Sequence, residues 1–361
     1  MRALILSHIY ADPAQRQKLK ELAGLGWSIT LALPGGTADM DGTIRIVPIP
    51  ASGSSGEPGG QRWSRRVLRR VLTDVRPDIV HIEEEPGSQA ADVAVRETQR
   101  LGIPAVVFGW QSLPAKRRFL EARRYQRTLA GASGIIGGNR LAQALLAEAA
   151  PAIPSLSLPQ TGIVPPARAD RSTGPSLSLA YVGRLTPERG PDRLLRACGQ
   201  LLGPWTLVVA GTGPEQEALE DLAQKLGLAA RTRWLGALSK AQIAALWTEV
   251  DCLVVPSRTT PEWVERASPA VLDAMAHGVA VVASTEGVLP ELVGDAGLLF
   301  QTDEELLISL QELLTAPDQR LALGRAGRKR VLDRYVDAAI ARSTDAFWRE
   351  ILARQAGAGQ G

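Results

Sequence analysis

The chain has few of the residues that form disulfides or bind metals. Its 361 residues include two cysteines, Cys198 and Cys252, and three histidines. Two isolated cysteines argue against a disulfide framework and a zinc site, and they favour a reducing compartment. No apolar run reaches the roughly 18 residues that a membrane-spanning helix needs, and the first residues lack the apolar core of a signal peptide. We therefore expect a cytoplasmic protein.

Aromatic residues are also scarce, at 4% of the chain, and no nucleic-acid recognition module is evident. The net charge of +3 is unevenly distributed: residues 1–165 contain 20 Lys and Arg against 14 Asp and Glu, whereas the remainder contains 21 against 24. The basic excess includes two clusters, Arg62–Arg70 and Lys116–Arg127. Each predicts either a helix face that rests on anionic lipid at the inner membrane face or a core-packed helix with a solvated basic face.

Short apolar stretches alternate with amphipathic ones along most of the chain, which predicts alternating strands and helices. In the first half the predicted strands are Ala3–Ser7, Ser28–Leu33, Ile44–Ile49, Ile79–Ile82, Ala105–Phe108 and Ser133–Ile136, and the helices are Ala14–Leu25, Arg62–Val75, Ala90–Leu101 and Ala115–Ala130. In the second half the predicted strands are Ser178–Val182, Thr206–Ala210, Thr232–Leu235, Cys252–Val255 and Val279–Ala283, and the helices are Pro191–Leu202, Glu215–Leu226 and Lys240–Thr248. This alternation predicts two doubly wound parallel sheets.

The predicted domains are separated by a segment rich in Pro, Gly and Ser. An N-terminal domain of residues 1–163 precedes a linker of residues 164–177 and a C-terminal domain of residues 178–335. Ala51–Gln61 is a flexible loop by composition. Two such domains would place a ligand cleft between the carboxyl ends of their sheets.

The segment Pro256–Ser284 joins two acidic residues to a helix start. Glu265 is followed by seven residues and then Asp273. Between them, Ser268 and Pro269 are predicted as the N-cap and first helical position, because Ser can accept an orphan backbone N–H and Pro needs no partner. A helix N-terminus flanked by carboxylates suits a ligand with phosphates in the middle and polyols at both ends. A nucleotide sugar has that layout.

This spacing resembles the paired-acid signature of the retaining glycosyltransferases of family 4, bacterial type. Further segments resemble the same family in the expected order, namely Tyr181–Gly190, Val208–Pro214, Arg233–Gly236 and Glu286–Phe300. The resemblance implies the GT-B fold, an α/β architecture of two Rossmann-like domains that face each other across a cleft. It also implies an N-terminal acceptor-binding domain, a C-terminal nucleotide-sugar-binding domain, and a last helix at residues 336–353 that crosses back to the N-terminal domain. Residues 354–361 are expected to be a flexible tail.

The resemblance implies transfer of a hexose, with retention, from a nucleotide-diphosphate sugar to a glycan, lipid or small-molecule acceptor, without a metal or cofactor. Charge develops on the leaving diphosphate, so the site needs fixed positive charge there. The catalytic candidates are Arg184 and Arg189, which would neutralise the diphosphate, and Glu265, which would orient the sugar. The donor-binding candidates are Gly183, Arg184, Arg189, Leu235, Glu265, Ala267, Ser268, Pro269, Ala270 and Asp273. Asp273 would bind the ribose hydroxyls.

The chain departs from the usual family pattern at three positions. Arg189 and Asp273 stand where Lys and Glu are usual, and Trp110 with Gln111 stands where many members have His. The candidates for acceptor or sugar contacts are His8, Glu83, Glu84, Trp110 and Gln111. Trp110 can instead fill the domain interface, Glu83–Glu85 can form a solvated acidic loop, and His81 can be a core histidine.

Two alternatives to a transferase remain open. The sequence also fits a catalytically impaired nucleotide- or glycan-binding protein of this fold, and a nucleotide-sugar epimerase of similar architecture. UDP-sugars are preferred as donors over GDP-sugars. Asp39–Asp41 forms a DxD triplet in a predicted polar loop, and we interpret it as a chance occurrence rather than a metal site.

Overall fold

The computed structural model describes residues 1–52, 62–114, 117–167 and 172–358. These residues form two compact units. One consists of Met1–Gly162 together with the last helix, and the other is Ile163–Val336. We call them the N-terminal and C-terminal units.

The N-terminal unit is built on an eight-stranded sheet. Its strands and helices in chain order are β1 (Arg2–Leu6), α1 (Gln17–Gly24), β2 (Ser28–Pro34), β3 (Asp39–Asp41), β4 (Ile44–Ile49), β5 (Ala51–Ser52), β6 (Arg62–Trp63), α2 (Arg65–Val75), β7 (Ile79–Ile82), α3 (Gln89–Arg100), β8 (Ala105–Gly109), α4 (Phe119–Ala130), β9 (Gly134–Gly137), α5 (Arg140–Ala149) and β10 (Ser155–Ser157). The sheet order is β10-β9-β8-β7-β1-β2-β4-β3, and all pairings are parallel except β3 with β4. The chain therefore reverses its winding direction between β1 and β7.

Helices cover both faces of this sheet. Successive side chains of a strand point to opposite faces, so Leu4 and Leu6 of β1 pack with α2 to α5, whereas Ala3 and Ile5 pack with α1. Because both faces are covered, the buried strands are almost continuously apolar, as sequence analysis had indicated.

The last helix, α13 (Asp337–Ala358), packs on the same face as α1. Its Trp348 is fully buried and meets Trp27 edge to face, with the ring centroids 5.0 Å apart. Trp27 also donates its indole N–H to Asp345 at 2.7 Å. The helix continues to Ala358 and so includes residues 354–358 of the predicted tail, whereas residues 359–361 lie outside the described residues.

The C-terminal unit repeats the same winding. Its elements are β11 (Leu177–Val182), α6 (Pro191–Cys198), β12 (Trp205–Ala210), α7 (Gln216–Lys225), β13 (Thr232–Gly236), α8 (Lys240–Glu249), β14 (Cys252–Val255), α9 (Pro269–Ala276), β15 (Ala280–Ser284), α10 (Leu289–Val293), β16 (Leu298–Phe300), α11 (Asp303–Thr315) and α12 (Pro317–Arg334). The sheet is parallel with the order β13-β12-β11-β14-β15-β16. The predicted fold class, two doubly wound parallel sheets, is confirmed in both units.

The sequence predictions differ from the structure in several places. Asp39–Asp41 is an edge strand rather than a polar loop, because it pairs antiparallel with β4. Arg62–Trp63 is not helical, because it pairs with Ala51–Ser52 and the helix starts at Arg65. Helix α5 and strand β10 were not predicted. Residues 53–61 and 168–171, from the predicted loop and linker, lie outside the described residues.

The described residues contain no helix that is both long and apolar enough to span a bilayer.

Candidate active site

Two loops of the C-terminal unit leave the sheet side by side. β11 and β14 are neighbours, and the winding direction reverses between them. Ligands of open α/β sheets bind at such a point, beyond the carboxyl ends of the strands. The loop after β11 carries Arg184 and Arg189, and the loop after β14 carries Glu265. The topology therefore brings the three predicted catalytic residues to one edge of the sheet.

The loop after β11 runs close to its neighbours, and two glycines make this possible. A Cβ atom on Gly211 would overlap the carbonyl oxygen of Gly183, and one on Gly190 would overlap that of Pro256. Both glycines have positive φ, at 146° and 66°, which other residues rarely adopt. The hydroxyl of Tyr181 donates to the carbonyl oxygen of Arg184 at 2.7 Å and closes the turn.

Arg189 and Glu265 form an ion pair that joins the two loops. Nη1 of Arg189 lies 2.7 Å from Oε2 of Glu265, and the hydroxyl of Ser257 donates to the same oxygen at 3.0 Å. The Glu265 side chain is only 1% exposed, whereas that of Arg189 is 30% exposed. Trp263 stacks near the guanidinium, whose carbon is 5.2 Å from the ring centroid. The carboxylate of the pair is therefore buried, whereas its guanidinium group is partly accessible to solvent.

Burial raises the pKa of Glu265, although Arg189 and the Ser257 hydroxyl act in the opposite direction. A buried carboxylate of this kind gains from additional hydrogen-bond donors. Ligand hydroxyl groups are such donors, so the geometry suits a polyol next to Glu265.

Arg184 differs from Arg189 because no acidic side chain of the described residues is paired with its guanidinium group. Its side chain is exposed, and within the described part of the chain it makes no ion pair or side-chain hydrogen bond. The pKa of Glu188 is lowered mainly by hydrogen bonds to its carboxyl group from its own backbone N–H and from Thr186. The positive charge of Arg184 contributes only a little to this lowering. Arg184 can therefore bind an anion without breaking an existing contact.

Helix α9 begins next to Glu265, with Pro269 at its first position as predicted. Ser268 occupies the N-cap position, but its hydroxyl accepts no hydrogen bond from the helix, which corrects the predicted cap. The hydroxyl does not cap because Ser268 has φ −128° and ψ 82° rather than the usual cap geometry. Ala267 is exposed and Ala270 half-buried, so the first turn is accessible. The helix dipole favours an anion here.

Asp273 lies one turn further along α9 and contacts other residues. Its Oδ2 accepts a hydrogen bond from the indole N–H of Trp247 at 2.7 Å, and Nδ1 of His277 lies 3.5 Å from Oδ1. The side chain is still 40% exposed. One carboxylate oxygen is therefore already engaged, which leaves less capacity for a ribose diol than a free carboxylate has. Leu235, at the end of β13, is half-buried.

Sequence reasoning missed several residues that shape this site. Arg258 donates from its backbone N–H to the Glu188 carbonyl at 2.8 Å and binds Asp192 through two N–H groups at 2.7 and 2.9 Å. It thereby holds the β11 loop against the β14 loop. Ser257 and Arg258 follow the buried strand β14 after a single residue, Pro256. Polar residues just beyond the carboxyl end of a buried strand are a signal that could have identified them.

The N-terminal unit has its own polar cluster where its winding reverses. Glu83, directly after β7, binds Lys18 at 2.6 Å and accepts from the amide of Gln160 at 2.9 Å. Both charged side chains are at least 98% buried. Glu84 binds the ring of His8, with Oε1 2.8 Å from Nδ1. The alternative of a solvated acidic loop is therefore wrong for Glu83 and Glu84, because both are buried and partnered.

Trp110 follows β8 and is held on three sides. Its backbone N–H donates to Glu85 at 2.5 Å, its indole N–H donates to Gln160 at 2.8 Å, and its ring covers Gly138. Its residue surface is 38% exposed. The side chain of Gln111 already has a partner, because its Oε1 accepts a hydrogen bond from Nη2 of Arg117 at 2.5 Å.

His81 is a core histidine. It is 1% exposed, meets Trp348 edge to face, and has no hydrogen-bond partner for either ring nitrogen within the described residues. Burial lowers its pKa to about 4, so the ring is neutral at physiological pH.

Asp41 of the DxD triplet binds Arg16 at 3.2 Å and Lys20 at 3.0 Å. These contacts give Asp41 a structural role.

Comparison with known proteins identifies similar sequences for both units. Residues 170–330 match the model of the family "Glycosyl transferases group 1", and residues 12–154 match "Glycosyl transferase 4-like domain". A D-inositol 3-phosphate glycosyltransferase from Segniliparus rotundus is 34% identical over 173 residues, which are 45% of this chain and 37% of the relative. A GDP-mannose-dependent alpha-(1-6)-phosphatidylinositol monomannoside mannosyltransferase from Mycolicibacterium smegmatis is 32% identical over 163 residues, 43% of either chain. The matches thus span less than half the length of these curated relatives.

Solved structures resemble the whole chain. Sucrose-phosphate synthase from Thermosynechococcus elongatus has a TM-score of 0.66 at 19% identity and covers 98% of this chain and 100% of its own. The Anabaena protein Alr3699/HepE, solved in complex with UDP, also has a TM-score of 0.66, at 17% identity, and covers 97% and 100%. At these identities the likeness shows a shared fold.

Proposed function

Because this chain belongs to the family 4-like glycosyltransferases of GT-B fold, we propose that it transfers a hexosyl group from a nucleotide-diphosphate sugar to an acceptor hydroxyl, with retention of configuration. The observation that carries the proposal is the Arg189–Glu265 pair at the reversal point of the C-terminal sheet. A buried carboxylate and an accessible guanidinium there fit the two halves of the reacting bond, a polyol and a diphosphate.

The diphosphate would bind between Arg184 and the first turn of α9. Arg184 has an uncommitted charge, and Arg189 uses one nitrogen for Glu265, so its other N–H groups are available to phosphate oxygens. These fixed charges stabilise the leaving group as the bond to the anomeric carbon breaks. Both arginines supply charge without a bound metal, and we propose none.

The sugar would donate hydroxyl hydrogens to Glu265, whose carboxylate is held by Ser257 and Arg189. The acceptor oxygen then forms its bond to the anomeric carbon while the bond to the phosphate oxygen breaks. The acceptor proton passes to that phosphate oxygen on the same face, so configuration is retained. Asp273 would contact the ribose with its less engaged oxygen.

Two arguments bear on the nucleotide base of the donor, the sequence prediction and the names of the relatives. UDP-sugars come first, in line with the sequence prediction, and the GDP-mannose of the relatives' names makes GDP-mannose the second donor to test. Those names also contain inositol, so a cyclic polyol, free or in a glycolipid, is the proposed acceptor.

A membrane-bound acceptor would place the N-terminal unit near lipid. On α2, Arg65 and Arg69 are both bound to the buried Glu97, so these charges are partly neutralised. At the start of α4, Phe119 and Leu120 are 73% and 70% exposed. We propose that peripheral contact with anionic membrane, if the acceptor is a lipid, involves α4 rather than α2.

The contact between Asp273 and Trp247 favours a second candidate function. If the Asp273 carboxylate stays on the indole, the donor loses a ribose contact, and the protein binds nucleotide or glycan without transfer. An epimerase remains a third alternative, which epimer formation from donor alone would support.

A transfer assay separates these functions. UDP-glucose and GDP-mannose, each ¹³C-labelled at the anomeric carbon, are incubated with myo-inositol, and carbon NMR follows the labelled atom. We expect a new glycoside with the α-configuration of the donor, and its loss in Glu265→Gln. Binding of donor without any labelled product would contradict the transferase proposal, and a β-linked product would contradict retention.

A further inference from the structure

A short helical turn of the C-terminal unit carries Arg189, and the neighbouring loop holds its backbone. The turn consists of Pro187, Glu188 and Arg189 and follows β11. Arg258, on the loop after β14, donates its backbone N–H to the carbonyl oxygen of Glu188 at 2.8 Å and its Nη1 to that of Pro187 at 3.1 Å. These carbonyls belong to the two residues that precede Arg189. Arg258 therefore fixes the backbone on the amino side of Arg189.

Arg258 is itself anchored to the core of the unit. Its Nη1 and Nη2 donate to the two carboxylate oxygens of Asp192 at 2.7 and 2.9 Å, a parallel geometry that makes the pair strong and directional. Asp192 lies in the first turn of α6, where the helix dipole favours a negative charge, and α6 packs into the core. The strand that leads to Arg258, β14, is buried along its whole length. The turn is thus held by groups that a core helix and a core strand keep in place.

Hydrogen bonds rather than packing hold this turn on one side. Pro187 is exposed, and a cavity of about 360 Å³ is lined by Pro187, Asp192 and Arg258 together with side chains of α7. Because the described side chains leave the space beside Pro187 unfilled, van der Waals contacts offer little resistance to a movement of the turn into it. Removal of the Arg258 side chain therefore allows the turn to shift, and Arg189 shifts with it.

We propose that Arg258 is a positioning residue that acts through Arg189, because it holds the turn where the Arg189 guanidinium reaches the leaving diphosphate. This inference rests on the proposed function, since it concerns the same diphosphate site. Arg258 does not bind the donor in this proposal, because Asp192 and Pro187 engage its guanidinium group. Its contribution is to determine where the charge of Arg189 lies while the bond to the phosphate oxygen breaks.

Loss of Arg258 should slow transfer more than it weakens donor binding. A catalytic group displaced by about 1 Å can lower a rate by about 100-fold, whereas Arg184 and the first turn of α9 still bind the diphosphate of the intact donor. We therefore expect Arg258→Ala to lower kcat by about 10- to 100-fold and to leave the Kd of the donor nearly unchanged. Asp192→Asn weakens the anchor but leaves both carbonyl contacts of Arg258, so it should lower kcat by less.

A double-mutant cycle separates positioning from general destabilisation. Arg258→Ala is combined with Arg189→Ala, and kcat is measured with whichever of UDP-glucose and GDP-mannose the wild type uses, with myo-inositol as acceptor. If Arg258 acts through Arg189, the two losses of kcat are not additive, and Arg258→Ala has little effect once Arg189 is absent. The melting point should fall in both backgrounds, because the bonds that Arg258 makes remain in Arg189→Ala.

Arg320 provides a matched control at the opposite ends of the same two strands. It donates to the carbonyl oxygens of Gly174 and Ser176 at 3.0 and 2.9 Å and to Asp251 at 3.2 Å, so it also holds two carbonyls and one carboxylate. Ser176 and Asp251 directly precede β11 and β14. Because Lys cannot reproduce the forked geometry of Arg, Arg320→Lys should lower the melting point and keep kcat, whereas Arg258→Lys should lower both.

The pKa of Glu265 reports the position of Arg189 without any substrate. Burial raises this pKa, whereas Arg189 and the Ser257 hydroxyl lower it, and Arg266 adds a weaker lowering. Tyr181 of β11 also lies near Glu265 but is neutral, because burial raises the pKa of its hydroxyl. A displaced Arg189 lowers the Glu265 pKa less. In Arg258→Ala this pKa should therefore rise, and transfer should be lost at a higher pH on acidification.

Carbon NMR of ¹³C-labelled glutamate carboxyl groups measures this pKa in wild type, Arg258→Ala and Arg320→Lys, and Glu265→Gln assigns the signal. We expect a rise in Arg258→Ala alone. An unchanged Glu265 pKa in Arg258→Ala would overturn the proposal. So would kcat losses of Arg258→Ala and Arg189→Ala that simply multiply in the double variant.

The two proposals fail in different ways. If wild type transfers sugar and Arg258→Ala is equally active, the positioning role is wrong while the proposed function stands. If wild type transfers from neither donor but the Glu265 pKa rises in Arg258→Ala, the proposed function fails while the hold of Arg258 on Arg189 stands.

Discussion

At the scale of single residues, the buried acids of this protein are distinguished by their partners. Glu265 is paired with Arg189, whose guanidinium group is partly exposed, and Glu84 is paired with His8, whose ring is also exposed. Glu83 is paired with Lys18, which is buried. The first two arrangements leave a group for a ligand, and the third does not. Among these three acids, the exposure of the partner therefore separates the two candidate site residues from the structural one.

The Lys18–Glu83 pair makes a prediction about stability. Burial raises the pKa of Glu83, but Lys18, His81 and Gln160 outweigh it, so the net pKa is lowered. A lowered pKa means that Glu83 contributes stability above its unfolded pKa, and that this contribution is lost as pH falls through the folded value.

Lys18→Met should destabilise the protein by about 3–5 kcal/mol at neutral pH, because it leaves Glu83 buried and unpaired. It should also shift the acid dependence, since Glu83 would then favour its protonated form and the variant would gain relative stability on acidification. Urea unfolding of wild type and variant from neutral pH to pH 4 measures both effects. Lys20→Met, on the exposed side of α1, is the matched control. An equal loss in both variants would contradict this role of Lys18.

At the scale of elements, the sequence predicted best where a segment is buried on both faces. Five of the six strands described in the C-terminal unit were predicted to within one residue at each end, because Val-, Ile- and Leu-rich runs are typical of covered parallel strands. Edge elements were missed: β3 and β10 are short and only partly buried. Helix α5 was missed although Asn139 supplies an N-cap, with its side chain accepting from Ala142.

The candidate site was predictable only in part. The order of motifs identified Arg184, Arg189 and Glu265, and the strand order explains why they meet. Their pairing was not predictable, because Arg189 and Glu265 are 76 residues apart and each could have faced solvent. The same applies to Glu83, whose partner Lys18 is 65 residues away. Local sequence gives no information on such long-range contacts.

The prediction at the scale of elements concerns membrane binding by helix α4. Phe119 and Leu120 are exposed at its start, close in sequence to Arg118 and Arg123. Wild-type protein should cosediment with phosphatidylglycerol-containing vesicles and less with pure phosphatidylcholine, because apolar insertion and charge act together. The double variant Phe119→Ser, Leu120→Ser should weaken binding by at least about tenfold.

Ile308→Ser is the control for this experiment, because Ile308 is 65% exposed on α11 of the other unit. Equal vesicle binding by wild type and the double variant would exclude α4 as the contact, and no binding by wild type would remove the membrane proposal altogether.

At the scale of the whole molecule, two units with the same winding each carry a polar cluster where the winding reverses. In the C-terminal unit the cluster is basic and next to a helix start, which suits a diphosphate; in the N-terminal unit it combines an imidazole with an indole, which suits a polyol. This division of roles between donor and acceptor is the proposed basis of function. The final helix belongs to the N-terminal unit, so the chain passes between the units twice.

The central claim is that a nucleotide sugar binds at the reversal point of the C-terminal sheet, and thermal unfolding tests it most directly. Melting points are recorded with UDP, GDP, ADP, TDP and their common sugars for wild type, Arg184→Ala and the control Arg196→Ala, an exposed arginine on α6. A ligand at 100 times its Kd adds about 2.7 kcal/mol, which raises Tm by a few degrees. We predict a shift with one nucleotide family that is lost in Arg184→Ala and kept in Arg196→Ala. A wild type that no nucleotide stabilises, or a shift that Arg184→Ala retains in full, would contradict the account.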